Sequence, residues 1–139
     1  MGNQLFCGPE IRRGIMVKKI VIVDDEEHIR FLIEELLDDL EGEDIEVLTA
    51  DNGADGLELI KLEKPNLVFL DVMIPRMNGF DVCRAVKGEL GMKDVYIVIL
   101  TAKGQELDKE MAREVGADIY VNKPFDPDTL LELAEKILG

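Results

Sequence analysis

Residues 67–75 read LVFLDVMIP, four apolar residues followed by an acid and a second apolar run. The run from Leu67 to Leu70 is typical of a strand that is buried on both faces, as in the centre of a parallel sheet. Asp71 comes at the carboxyl end of that strand, with no partner nearby in sequence. A carboxylate in such surroundings costs free energy unless another group compensates its charge. The stretch therefore predicts a central strand and raises the question of what compensates Asp71.

Similar apolar runs recur along the chain and alternate with helical patterns. Central strands are predicted for IVIV (20–23), VFL (68–70) and YIVIL (96–100), and strands nearer an edge for IEVLTA (45–50) and IYVN (119–122). Apolar residues at helical spacing after each run predict five helices, for which Asn52 and Asp128 or Thr129 are candidate N-caps. Five alternations of strand and helix predict a single-domain α/β fold with a doubly wound, five-stranded parallel sheet.

Composition narrows the class of protein. The 139 residues suffice for one domain with a core, and no apolar run approaches the ~20 residues that a membrane-spanning helix needs. Thirty acidic residues against 16 basic ones give a net charge of −14, which disfavours direct binding to nucleic acid or to a membrane surface. Cys7 and Cys83 show no metal-site spacing and no secretory signal precedes them, so a cytoplasmic location is expected.

The first fifteen residues differ from the rest of the chain. They lack sustained periodicity and contain three glycines and a proline, which predicts a disordered tail over 1–15 and a domain over 16–139. Alternatively, translation starts at Met16, because Arg12-Arg13-Gly14 fits an in-frame reading of a ribosome-binding site. The mass of the N-terminal peptide of the natively expressed protein distinguishes the two.

Polar residues follow the predicted strands at their carboxyl ends, where doubly wound sheets bind ligands. These residues are Asp24, Asp25, Asp71, Thr101 and Lys123. Singly, each has an ordinary explanation, such as a helix cap or a solvated lysine. Together they require counter-charges, because two carboxylates ~4 Å apart repel by about 4 kcal/mol at an effective dielectric of 20. Lys123 and a divalent cation, Mg²⁺ or Mn²⁺, would supply them and would prepare Asp71 to receive a phosphoryl group.

Four segments carry a resemblance to a known family. IVIVDDEEHIR (20–30), LVFLDVMIPRMNGFDVC (67–83), IVILTAKG (97–104) and DIYVNKPF (118–125) resemble, in order and spacing, the receiver domain of two-component response regulators. The resemblance covers essentially all of residues 17–139. It implies a flavodoxin-like strand order of 2-1-3-4-5. Because the chain ends after its fifth helix, it resembles a stand-alone, chemotaxis-type receiver without a DNA-binding domain.

The resemblance also implies roles for individual residues. Asp71 would be the phosphoacceptor, Lys123 would pair with a phosphoryl oxygen, and Thr101 would hydrogen-bond another. Magnesium would be held by Asp25 and Asp71 directly, by Asp24 largely through water, and by the main-chain carbonyl of Met73. Pro124 would follow a cis peptide bond that aims Lys123.

A signalling role with protein partners follows from the same resemblance. The protein would take a phosphoryl group from a histidine kinase or phosphotransfer protein, and would catalyse its own phosphorylation and dephosphorylation. Thr101 and Tyr120 would then switch the surface of the fourth helix, fifth strand and fifth helix. A downstream protein would recognise that surface, or the phosphoryl group would be passed along a relay.

Three alternatives belong to other classes. A Mg²⁺-dependent phosphohydrolase with an aspartyl-phosphate intermediate needs a second acid two residues after Asp71, where this chain has Met73. A flavin or nucleotide carrier needs a phosphate-binding loop after the first strand, where DDEEH would repel phosphate. A receiver used only as a non-phosphorylated binding scaffold needs none of the polar residues at the strand ends.

Overall fold

A computed structural model of the protein describes residues 10–12, 14–40, 44–102 and 106–139. In these ranges the strands are β1 (Glu10–Arg12), β2 (Ile15–Val23), β3 (Ile45–Ala50), β4 (Leu67–Asp71), β5 (Tyr96–Ala102) and β6 (Ile119–Lys123). The helices are α1 (Glu27–Leu37), α2 (Gly53–Glu63), α3 (Gly79–Cys83), α4 (Glu106–Glu114) and α5 (Pro127–Leu138). Helix α3 continues in π-helical geometry over Arg84–Glu89.

Five of the strands form a parallel sheet in the order β3-β2-β4-β5-β6. Numbered without the short β1, this is the order 2-1-3-4-5, so the predicted flavodoxin-like fold with five helices is confirmed. The register pairs Val23 with Leu70 and Asp71 with Leu100. The carboxyl ends of the central strands therefore meet at one edge of the sheet.

Helices cover both faces of the sheet. One apolar cluster packs α1 and α5 against residues such as Ile22 and Phe69, and the other packs α2, α3 and α4 against residues such as Val21 and Leu70. All five residues of β4 are buried. Burial from both sides is why its sequence is continuously apolar up to Asp71.

The buried thiol of Cys83 belongs to this core. Its Sγ lies 3.5 Å from the Val115 carbonyl oxygen, to which it donates. Burial raises the pKa of Cys83 to about 12, which makes it a poor nucleophile. Cys83 therefore has a packing role in the core.

Side-chain caps fix the start of several helices. Asn52 accepts a hydrogen bond from the main-chain N–H of Asp55 at 2.8 Å, so its predicted N-cap role is confirmed. The prediction for α5 is wrong by two or three residues. Its cap is Asp126, whose side chain accepts from the N–H of Asp128, with Pro127 in the first turn. Proline is favoured there because the first helical N–H has no partner within the helix.

The amino-terminal segment differs in part from the predicted tail. Residues 1–9, with Cys7, and residue 13 lie outside the described residues. Glu10–Arg12 pair in antiparallel fashion with Ile15–Val17, through a turn in which Gly14 has a φ of 79°. Part of the segment 1–15 is therefore a strand. That the domain begins at residue 16 and that translation starts at Met16 stay predictions.

Candidate functional site

The sheet edge described above brings together the polar residues that the sequence places at strand ends. Asp24 directly follows β2, Asp71 ends β4, Thr101 lies near the end of β5, and Lys123 ends β6. The β5–β6 register pairs Thr101 with Asn122 and Ala102 with Lys123. Strands from four parts of the chain thus deliver these groups to one place.

Three carboxylates form a cluster at this edge. One oxygen from each of Asp24, Asp25 and Asp71 lies within 4.8 Å of the other two. Asp24 is fully buried and Asp71 is only 7% exposed, whereas Asp25 faces solvent. Carboxylate oxygens at such spacing are the donor set that Mg²⁺ and similar hard cations prefer.

The ammonium group of Lys123 is the counter-charge within the cluster. Its Nζ donates to Asp24 Oδ2 at 2.8 Å and lies 3.4 Å from Asp71 Oδ2. Burial by itself would lower the pKa of Lys123, but the bond to Asp24 and the charge of Asp71 outweigh it and raise the pKa above its ordinary value. Lys123 is therefore held as a cation between two buried acids.

Two residues that the sequence analysis did not single out support Asp24. The main-chain N–H of Glu26 donates to Asp24 Oδ1 at 2.9 Å, and Nη1 of Arg30 donates to the Asp24 carbonyl oxygen at 2.8 Å. The carboxylate of Glu26 also lies 3.7 Å from the Lys123 ammonium. The sequence signal for Glu26 is its position directly before the first turn of α1, where serine, threonine, aspartate and asparagine are preferred.

The charge of Asp71 is only partly compensated. Burial and the neighbouring charge of Asp24 raise the pKa of Asp71 to about 6, although Lys123 acts in the opposite direction. One lysine therefore does not offset three aspartates, as the sequence predicts. A divalent cation at the cluster would remove this imbalance.

In metal-free buffer we expect Asp71→Asn to stabilise the protein at neutral pH. The folded pKa of Asp71 (about 6) exceeds the ordinary value of 3.8, so its protonated form favours folding at low pH. That contribution is lost as pH rises through the folded pKa, whereas asparagine carries no charge at any pH. Urea unfolding in EDTA should show a gain of about 1–3 kcal/mol at pH 7.5 and little difference near pH 4. A less stable variant at pH 7.5 would contradict this.

The backbone next to Asp71 depends on Gly79. A Cβ at residue 79 would lie 2.3 Å from the Asp71 carbonyl oxygen, so only glycine fits. The Gly79 N–H donates to the Val72 carbonyl at 3.0 Å, and Asn78 caps α3 by accepting from the Asp81 N–H at 2.9 Å. The start of α3 is thereby packed directly against the end of β4.

The side chains of Thr101 and Tyr120 each contact a neighbouring polar or charged side chain. Thr101 is 1% exposed, and its Oγ1 donates to Asn122 Oδ1 at 2.8 Å. Tyr120 is partly buried against the cluster beneath α2, α3 and α4, and the ammonium of Lys109 lies 5.5 Å from its ring centroid. The Thr101 hydroxyl is therefore engaged with Asn122 rather than with Asp71 in this state of the protein.

A shallow cavity opens over the cluster. Charged and apolar groups share its wall, with Asp25, Glu26, Asp71 and Lys123 beside Ile29, Leu32, Met73, Pro124 and Phe125. The Lys123–Pro124 peptide bond is cis, as the family resemblance implies. The Met73 side chain is 76% exposed and lines the same cavity as Asp71. No helix among the described residues could span a bilayer.

A doubly wound parallel sheet with this acid cluster and lysine at its carboxyl edge is the arrangement of a receiver domain in two-component signalling. The chain belongs to the response regulator receiver domain family, whose sequence profile matches residues 20–135. It is thus a signalling protein, and the suspected family is confirmed.

Curated relatives are longer than this chain. The alkaline phosphatase synthesis transcriptional regulatory protein PhoP of Bacillus subtilis is 43% identical over 112 residues, which are 81% of this chain and 45% of that protein. The probable transcriptional regulator ycf27 of Cyanophora paradoxa is 44% identical over 113 residues, again 81% and 45%. The chain therefore spans about half the length of these relatives.

Solved structures agree with the fold. A putative response regulator from Chloroflexus aurantiacus superposes with a TM-score of 0.77 at 31% identity, covering 88% of this chain and 98% of that one. The chemotaxis response regulator CheY4 of Vibrio cholerae gives 0.76 at 30% identity, with 87% and 98% covered.

Proposed function

We propose that Asp71 accepts a phosphoryl group from a phosphohistidine on a partner kinase or phosphotransfer protein, in a reaction that depends on Mg²⁺ or Mn²⁺. The observation that carries the proposal is the Lys123 ammonium 2.8 Å from Asp24 and 3.4 Å from Asp71, inside a cluster with excess negative charge. The arrangement places one buried acid in the wall of a cavity, with a fixed cation beside it.

The donor set fits a hard divalent cation. Asp25 and Asp71 would bind it directly, Asp24 through water, and the Met73 main-chain carbonyl would be a further ligand. When bound, the ion neutralises charge on the transferring phosphoryl group. The raised pKa of Asp71 supports this assignment, because burial and the charge of Asp24 together outweigh the opposing effect of Lys123.

In the transfer step, a carboxylate oxygen of Asp71 attacks phosphorus in line with the leaving nitrogen. The new O–P bond forms as the P–N bond of phosphohistidine breaks, and the imidazole leaves with the electron pair. Lys123 pairs with a phosphoryl oxygen as a point charge. Hydrolysis by water would later return Asp71 to the carboxylate, so the protein would catalyse its own dephosphorylation.

Thr101 and Tyr120 are proposed to convert phosphorylation into a change of shape. A phosphoryl oxygen would compete with Asn122 for the Thr101 hydroxyl, which would move toward the site. Tyr120 would turn inward into the space that is left, and the surface of α4, β6 and α5 would change. Because the phosphoryl group contacts Thr101 in only one of the two states, it would shift their populations.

The partner on this surface is proposed to be a protein. The net charge of −14 disfavours contact between this domain and nucleic acid.

A cytoplasmic location suits the buried, reduced thiol of Cys83. A phosphohydrolase of the aspartyl-phosphate type is disfavoured because the exposed Met73 stands where its acid would have to be.

Incubation with acetyl phosphate tests the proposed function without the kinase. We expect intact mass to show one added phosphoryl group in the presence of Mg²⁺ and none in EDTA. Failure to form any adduct at saturating Mg²⁺ would overturn the proposal and would favour the binding scaffold.

Magnesium should also stabilise the fold. At 100 times its Kd, Mg²⁺ should add about 2.7 kcal/mol to the free energy of unfolding. The Asp25→Asn variant should lose most of this gain, because Asp25 is a proposed ligand. The substitution should leave the core intact, because the Asp25 side chain is exposed. The matched control is Asp81→Asn, which removes a half-exposed carboxylate outside the cluster. Urea unfolding with and without Mg²⁺ measures the gain in stability for each variant. Equal gains in the two variants would contradict the assignment of Asp25 as a ligand.

A further inference from the structure

The loop between β4 and α3, residues 72–78, is held in its middle by the first residue of α2. The Gly53 N–H donates to the Pro75 carbonyl oxygen at 3.1 Å. A Cβ at residue 53 would overlap the Met77 carbonyl oxygen and would lie 2.6 Å from the Met77 carbonyl carbon. Gly53 therefore touches the main chain of the loop at two points, and any side chain at this position would displace the loop.

The main chain between these two points is strained. Arg76 has a φ of 71°, in the left-handed region that residues with a Cβ rarely adopt. Such a conformation costs free energy and persists only where the surrounding structure imposes it. The ion pair of Arg76 with Asp55 is 3.6 Å long and exposed, so it is too weak to do so. The contacts of Pro75 and Met77 with Gly53, on either side of Arg76, account for the strained conformation.

Neither α2 nor the start of the loop can move freely. One turn along the helix, a Cβ at Gly56 would lie 2.8 Å from Val23 Cγ1, so α2 packs directly on β2. The loop begins at the end of the buried strand β4, and its first residue, Val72, lies in the apolar core. A displacement of Met77 must therefore be taken up within the loop, which includes Met73.

We propose that Gly53 is a positioning residue for the divalent cation. By holding the loop between β4 and α3, it fixes the position of the Met73 main-chain carbonyl, a proposed ligand, beside Asp71. The ion then meets an oxygen that is already in place, so ordering the loop costs less binding free energy. This inference rests on the proposed function, because it assumes the metal site of that proposal.

Titration of the full chain with Mg²⁺, followed by the chemical shifts of backbone amides, tests the inference without any phosphoryl donor. Gly53→Ala should raise the Kd for Mg²⁺ by at least about tenfold, because residues that orient metal ligands contribute about 10- to 100-fold to metal affinity. The dependence of urea unfolding on Mg²⁺ concentration gives the same Kd independently.

Gly91→Ala is the matched control for loss of stability. Gly91 precedes β5 at the opposite edge of the sheet and has a φ of 62°, so alanine strains the backbone there. A Cβ at residue 91 would meet no atom within 4 Å beyond its chain neighbours, so the substitution does not reach the loop. This variant should be less stable than wild type, yet its Kd for Mg²⁺ should stay within about twofold.

Arg76→Gly is a second variant, which folds because glycine adopts a φ of 71° without strain. Both carbonyls still contact Gly53, so its Kd should also stay within about twofold of wild type. If the Gly53→Ala variant does not fold, the Arg76→Gly result decides alone.

Three results would each overturn the inference: an unchanged Kd in Gly53→Ala, an equal loss of affinity in Gly91→Ala, or a loss of more than about tenfold in Arg76→Gly. A wild-type protein whose chemical shifts and stability do not respond to Mg²⁺ would instead overturn the proposed function.

Discussion

Asp71→Asn should abolish phosphoryl uptake from acetyl phosphate while leaving the protein folded. The nucleophilic oxygen is replaced by an amide of nearly the same shape, so the rate should fall by at least about 1000-fold. Stability cannot explain such a loss, because the same substitution removes charge repulsion and is expected to stabilise the metal-free protein. Time courses of intact mass at saturating Mg²⁺ measure the effect.

Asp81→Asn controls for loss of an acid near the end of β4. Asp81 lies in the first turn of α3, with its side chain 48% exposed and paired with Arg84 at 3.0 Å. Phosphoryl uptake by the Asp81→Asn variant should stay within about twofold of wild type, since exposed ion pairs contribute little to stability. Uptake that survives in the Asp71→Asn variant would show that another residue is modified.

Lys123→Met should destabilise the protein more than any other single substitution at the acid cluster. The fully buried Asp24 would lose its ammonium partner at 2.8 Å, and Asp71 would lose the only nearby cation among the described residues. Breaking a buried ion pair on one side costs about 3–5 kcal/mol, and partial exposure of Lys123 reduces this to about 2–4 kcal/mol in EDTA. Phosphoryl uptake should fall by about 100-fold even where the variant is folded.

Lys61→Met provides the comparison for this variant. Lys61 pairs with Glu58 at 3.2 Å on the exposed side of α2, so its loss should cost at most about 0.5 kcal/mol. Mg²⁺ should recover part of the stability of the Lys123→Met variant, since it neutralises the same acids. Equal unfolding free energies for the two variants in EDTA would contradict the role assigned to Lys123.

Much of the fold could be predicted because burial on both faces leaves a clear pattern. Leu67–Leu70 are continuously apolar and form the fully buried β4, and Asp71 breaks the pattern where the strand ends. The site follows from the fold, since parallel strands bring their carboxyl ends to one edge. The spacing of Asp24, Asp71 and Lys123 along the chain is therefore enough to place them together.

What the sequence did not reveal depends on three-dimensional contacts or on weak local preferences. Strand β1 has only three residues, too few for a periodic pattern. In the sequence, Arg30 cannot be distinguished from an ordinary polar residue of a helix. Its hydrogen bond to the Asp24 carbonyl oxygen is visible only in the folded chain. The cap of α5 was misplaced because Asp126 and Asp128 are both suitable cap residues, and Pro127 between them decides the register.

Reduction of the phosphorylated protein with borohydride, followed by peptide mapping, tests the central claim most directly. An aspartyl phosphate is converted to homoserine, so the modified position can be read by mass. We expect homoserine at residue 71 alone, and only when Mg²⁺ was present with the donor. Conversion at Asp24 or Asp25, or conversion at Asp71 in EDTA, would contradict the claim.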